Sequence, residues 1–165
     1  MTPDQAATAR HGLAIAAAYL DGDGGALDER LAPFLTDDAF PKLVECFLLA
    51  GVLMTGVAAK DGARMPFDTA LDQVEPLEDA LLLEDLPAGP WGEITALARA
   101  YQTGGGAAAR AVPLTMDLPS AVNAAFRFMI SALAALNQVA EFRAYDGAGL
   151  ARLLIGGIDG GHATA

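Results

Sequence analysis

The sequence predicts an all-α protein, a single-domain bundle of about six helices with two central apolar helices at about 41–60 and 120–145. Three observations support this fold class. Hydrophobic residues make up 53% of the 165 residues, which is enough for a sizeable core. Helix-capping patterns recur along the chain. No segment alternates apolar and polar residues over more than four positions, and 111–116 is the best strand candidate. We expect one domain over 1–156 and a flexible Gly-rich tail over 157–165.

Three helices are predicted in the first part of the chain. The sequence TPDQ at 2–5 has the pattern of a capping box, and the helix that it begins should end near Leu20, before DGDGG. A short helix is expected over 27–35. The aspartate at 37 or 38 can cap a third helix, which contains the apolar stretch LVECFLLAGVLMTGVAA at 43–59.

The remaining helices follow after residue 66. A helical pattern over 67–86 contains Pro76, so we expect a kink, or two short helices that meet near Glu75. The next helix, 91–109, is weakened by three consecutive glycines at 104–106. Ser120 can cap the longest helix, which should extend to about Tyr145, and a last short helix is expected over 149–154.

The apolar stretch at 43–59 could be a membrane span or a buried core helix. Its 17 residues would extend roughly 25 Å, short of the roughly 30 Å hydrocarbon core of a bilayer. No Trp or Tyr flanks it, and one lysine lies at each end. We interpret it as a core helix, and we expect no membrane association. With a single cysteine and no N-terminal targeting pattern, a cytoplasmic location is predicted.

Charge is concentrated in the middle of the chain. The formal net charge is −11, and residues 61–93 carry −8 of it, against −4 for 1–60 and +1 for 94–165. Such a field repels nucleic-acid phosphates, so we expect no nucleic-acid partner. It would instead attract a basic protein. The proposed partner-binding residues are acidic and lie four, three and four positions apart, on one helix face if the helix continues past Pro76: Asp68, Asp72, Glu75 and Asp79.

Sequence motifs for catalysis or for metal binding are not found. The sequence DGDGGALDERL resembles a calcium loop at its first positions but has Ala26 and Ala32 where an EF-hand requires glycine and glutamate. The two histidines are far apart in the sequence, and Cys46 has apolar neighbours that would keep its thiol unreactive. We predict no catalytic residue, no metal site and no cofactor, and an enzyme is the less favoured class.

Arg127 is the most unusual single residue, because it lies within the most apolar predicted helix. At 100° per residue, Asn123, Ser131, Ala134, Gln138 and Glu141 fall within about 40° of it and form one polar stripe. The stripe faces either water or a cavity. If Arg127 is buried, Glu45 or Glu141 is the natural counter-charge, and an Arg127–Glu45 pair beside a cavity would mark a ligand site.

Three functional classes follow from these features. The first is an acidic helical interaction module, such as an adaptor, an inhibitor or an immunity-type protein, that binds a basic partner through 61–93. The second is a small-molecule-binding domain or small enzyme with an apolar pocket near Arg127 and Glu45, lined by Met54, Met116, Phe126 and Met129 unless these are plain core. The third is a self-assembling homo-oligomer. The Ala-, Gly-, Arg- and Asp-rich usage with two lysines is typical of a GC-rich bacterial genome.

Overall fold

The computed structural model describes residues 1–36, 38–61, 65–78 and 91–160. These residues form seven α-helices and two short 3₁₀ turns, with no strand in the described ranges, and the all-α bundle is confirmed. The candidate strand at 111–116 is a turn and irregular chain. The helices are α1 (Pro3–Leu20), α2 (Gly24–Leu31), α3 (Phe40–Asp61), α4 (Phe67–Asp72), α5 (Trp91–Arg110), α6 (Leu118–Asn137) and α7 (Gly147–Asp159).

The first helix begins as its sequence predicts. The backbone N–H of Gln5 donates to Thr2 Oγ1 at 3.2 Å, and the backbone N–H of Thr2 donates to Gln5 Oε1 at 3.0 Å. The two bonds satisfy donors that a helix N-terminus otherwise leaves free. The chain then turns at Gly22, whose φ of 69° lies in the left-handed region that favours glycine, and Asp23 caps α2.

Helices α3 and α6 form the centre of the bundle, and α1 packs against α3 while α7 packs against α1. Three fully buried phenylalanines, Phe47, Phe126 and Phe128, are among the largest side chains of the core. Phe126 contacts Phe47 edge-on, with ring centroids 5.3 Å apart. The two apolar helices predicted from the sequence are therefore the two helices that organise the core.

The long central helix is shorter than expected. It begins at Leu118 and is capped by Asp117, which accepts the backbone N–H of Ser120 at 2.9 Å, so Ser120 is not the cap. It ends at Asn137 rather than near Tyr145. The side chain of Asn137 donates to the carbonyls of Phe142 and Tyr145, at 3.0 and 2.9 Å. These bonds hold the following residues in a closed loop rather than a further helical turn.

The helix predicted over 67–86 also ends early. α4 stops at Asp72, and residues 74–77 are not helical. Pro76 explains why the chain before it is not helical, because its ring disfavours the helical conformation at Glu75 and its nitrogen has no hydrogen to donate. The backbone N–H of Leu77 instead donates to Ser131 Oγ on α6, at 3.0 Å. The rest of that predicted helix, from residue 79, lies outside the described residues.

Glycines near its C-terminal end interrupt α5, whereas those near the C-terminal end of α7 do not. α5 consists of two helical segments that meet at Gly105, where φ is 67° and ψ is −158°. α7 instead runs without interruption through Gly156 and Gly157 to Asp159, beyond the predicted end at 154. The predicted start of the tail at 157 is therefore too early by three helical residues, and the tail residues 161–165 lie outside the described ranges.

Within the described ranges, two helical segments are long and apolar enough to cross a membrane, judged by length and composition only. They are Phe40–Lys60 and Leu118–Asn137, which belong to the central pair. In their most apolar windows, 67% and 72% of the residues are buried inside the bundle. Buried core helices of soluble proteins meet the same criteria, so the two segments are weak evidence for a membrane span.

Candidate functional site

The acidic residues of α4 form ion pairs within the chain. Arg99 on α5 donates to Asp68 Oδ1 at 3.2 Å and to Asp72 Oδ1 at 2.7 Å. Both carboxylates are exposed, at 73% and 69% of their side-chain surface, so their repulsion is relieved by one guanidinium without burial. Glu75 is exposed but lies beyond the end of the helix, and Asp79 is outside the described residues. The predicted continuous helical face therefore ends at Asp72.

An open groove of about 580 Å³ lies beside this acidic segment. α3 contributes Thr55 and Ala58, and α6 contributes Ala132 and Ala135. The Thr55 hydroxyl donates to the carbonyl of Gly51 at 2.8 Å, so it adds little polarity. The other lining residues are Met65, Ala70, Gln73, Val74, Gln138, Val139, Ala140 and Glu141. The groove is thus mainly apolar, with polar groups at its rim.

Arg127 and Glu45 do not form the predicted pair. Glu45 is bound instead by Lys42, with Nζ and Oε2 3.4 Å apart. Arg127 is half-buried, and its Nε has no hydrogen-bond partner among the described residues. Glu141, the other predicted counter-charge, is exposed at the groove. The predicted ligand site around an Arg127–Glu45 pair is therefore not assembled.

The predicted polar stripe is covered in its first part only, because Ala134, Gln138 and Glu141 are exposed. Asn123 and Ser131 are buried, at 0% and 2% exposure, and Ser131 binds the backbone of Leu77. Of the apolar residues proposed for a pocket, Met54, Phe126 and Met129 are fully buried core, and Met116 packs against that core. Ser131 thus binds a neighbouring segment of the chain, a role that its helical angle alone does not indicate.

Glu45 does line a second pocket, of about 480 Å³, between α3, α5 and the start of α6. Tyr101 and Arg110 from α5 line the same pocket. Burial raises the pKa of the Tyr101 hydroxyl, the carboxylate of Glu45 raises it further, and Arg110 opposes this shift. No sequence pattern singles out Tyr101 or Arg110, because only the fold brings them to the same pocket.

Cys46 is a free thiol at the centre of the bundle, with 0% exposure. Burial raises the pKa of the thiol to about 11. The thiolate is the reactive form, so the native protein at pH 8 should contain about a hundredfold less of it than an unperturbed cysteine would. We expect Ellman's reagent to modify native Cys46 at least about a hundredfold more slowly than the denatured chain. Rapid modification of the native protein would contradict this, and Cys46→Ser supplies the blank.

No group of three or more His, Cys, Asp or Glu side chains that could hold a metal ion occurs in the part of the chain that the structure describes. His11 is exposed on α1, and its ring lies 6.3 Å from that of Phe34. Three comparisons, with protein-family models, with curated proteins and with solved structures, gave no match.

Proposed function

We propose that the protein is an acidic interaction module whose groove beside α4 binds a basic partner segment with apolar side chains. One observation carries the proposal: the described segment 65–78 has four carboxylates and no basic residue, and it forms one wall of the apolar groove. The exposed acids of this segment are Asp68, Asp72, Glu75 and Glu78. The partner would have the opposite charge.

The charge available to a partner differs among these acids. Asp68 and Asp72 share Arg99, so part of their charge is neutralised within the chain. Glu75 and Glu78 have no ion pair among the described residues. Glu141 adds a carboxylate on the other wall of the groove. A basic segment in the groove would therefore meet Glu141 in the lining and Glu75 next to the lining residue Val74, and these two acids should contribute more than Asp68 and Asp72.

The shape of the groove favours a partner segment with apolar side chains. Its floor consists of small residues, Ala58, Ala132 and Ala135, which leave space between α3 and α6. Larger apolar groups, Met65 and Val74, form the wall on the acidic side. An amphipathic helix can present apolar groups at one face and lysines at the flanks, which is a common mode of groove recognition.

A pair of synthetic peptides tests the proposal. The first is an amphipathic helix of about 16 residues, or roughly 24 Å, with leucines on one face and lysines on the other. The second has every lysine replaced by glutamate. We expect the basic peptide alone to bind, more weakly as salt increases, and to shift the amide resonances of Gln73, Val74 and Ala135.

Two variants locate the binding site. Glu75→Gln combined with Glu141→Gln should weaken binding of the basic peptide about tenfold, because one carboxylate in the lining and one next to it are lost. Asp28→Asn combined with Glu29→Gln removes two exposed acids from α2, which packs on α1, and should leave binding unchanged. Equal losses in both variants, binding of the acidic peptide, or occupation of the groove by a second copy of the chain would overturn the proposal.

A further inference from the structure

The pocket between α3, α5 and the start of α6 has an apolar lining. Leu48 of α3, Leu97 of α5 and Leu118 of α6 face it from three helices, and Leu114 lies at its edge with 42% exposure. Its volume of about 480 Å³ falls within the range of about 300–1,000 Å³ that is usual for small-ligand sites. A ligand here would bury a hydrocarbon portion of modest size.

Four charged residues also line this pocket, and they are not equally available to a ligand. Lys42 donates to Glu45 at 3.4 Å and to the Thr8 hydroxyl at 3.1 Å, so this pair is partly satisfied within the chain. Asp38 is exposed. Arg110 is exposed and has no ion pair with any described residue. Among the described residues that line the pocket, Arg110 is therefore the cation without an ion pair.

Tyr101 supplies a second donor at the same pocket. It is half-buried, and no described residue forms a hydrogen bond with its hydroxyl. Tyr101 and Arg110 line the same pocket. A guanidinium and a phenol hydroxyl together match the acceptor oxygens of a carboxylate, and the charged hydrogen bond is the stronger of the two.

We propose that this pocket binds a small apolar monocarboxylate, with its carboxylate on Arg110 and Tyr101 and its hydrocarbon part on Leu48, Leu97 and Leu118. An apolar amine would have to displace Lys42 from Glu45 or pair with Asp38, which is exposed and precedes α3. A neutral ligand would form only uncharged acceptor contacts with the guanidinium and the hydroxyl, and these are weaker than those of a carboxylate. The inference is independent of the proposed function, because the peptide groove is formed by other residues.

Octanoate is a suitable probe, with 1-octanol and octylamine as ligands of the same chain length and different charge. We expect octanoate to bind saturably by calorimetry, to shift the amide resonances of Leu97, Tyr101 and Leu114, and to bind at least about tenfold more tightly than either control. Equal or tighter binding of octylamine would overturn the proposal, as would the absence of saturable octanoate binding.

Three variants assign the contacts. Arg110→Gln should weaken octanoate about tenfold to a hundredfold, and Tyr101→Phe by about tenfold or less, because the arginine bond is charged. Arg30→Gln removes an exposed arginine of α2 outside this pocket and should have no effect. Thermal melts would establish that all variants are folded. Unchanged octanoate affinity in folded Arg110→Gln would contradict the assignment.

Discussion

Replacing Phe126 with alanine is expected to lower the free energy of unfolding by about 3–5 kcal/mol. Phe126 is fully buried at the centre of the bundle, where its ring meets those of Tyr19 and Phe47 edge-on at 5.1 and 5.3 Å between centroids. The substitution removes the apolar surface of the ring and leaves a cavity between α1, α3 and α6. It also removes two favourable aromatic contacts.

Chemical denaturation followed by far-UV circular dichroism measures this change. Tyr145→Ala is the matched control, because it truncates an aromatic side chain that is 42% exposed. We expect the control to cost well under about 1 kcal/mol. A loss below about 1 kcal/mol for Phe126→Ala would mean that the three helices do not pack around this ring as the structure has them.

Replacing Gly12 with alanine should destabilise the protein by about 2–3 kcal/mol, although alanine is the better helix former. A Cβ atom at Gly12 would lie 2.4 Å from the Cys46 carbonyl oxygen and 2.9 Å from its carbonyl carbon. These are backbone atoms of α3, so no side-chain rotation can relieve the contact, and α1 and α3 must separate. The separation loosens packing along the whole contact.

Gly56→Ala tests the same substitution where the space is open. Gly56 also lies in a helix, α3, but a Cβ atom there would meet nothing within 4 Å. The control should therefore stabilise the protein by up to about 1 kcal/mol, the difference in helix propensity. If both variants gained stability in thermal and denaturant unfolding, the close approach of α1 and α3 would be wrong.

Sequence patterns predicted where most helices lie, because caps and glycine breaks act on the residues next to them. The capping box at Thr2 and Gln5 and the weak point among the glycines of α5 both act within a few residues of themselves. The central helices also follow from their own apolar composition. The end of α6 at Asn137 was missed because the deciding bonds come from a side chain that reaches forward along the loop.

The candidate sites were less predictable, because they depend on how the helices rotate against one another. Helical angle placed Arg127 on a polar stripe, but it could not show that the segment at Leu77 covers the neighbouring Ser131. It likewise placed Asp68 and Asp72 together without revealing Arg99, which lies 27 residues or more away in the sequence. Ion pairs between distant helices require the tertiary arrangement.

The break in α5 at Gly105 determines which face of the bundle its last cation reaches. On an unbroken helix, nine residues at 100° each would turn Arg110 to the side opposite Tyr101, about 13 Å farther along the axis. In the structure both residues line one pocket. The positive φ of Gly105 thus changes the direction of the last part of α5, so that Arg110 reaches the same pocket as Tyr101.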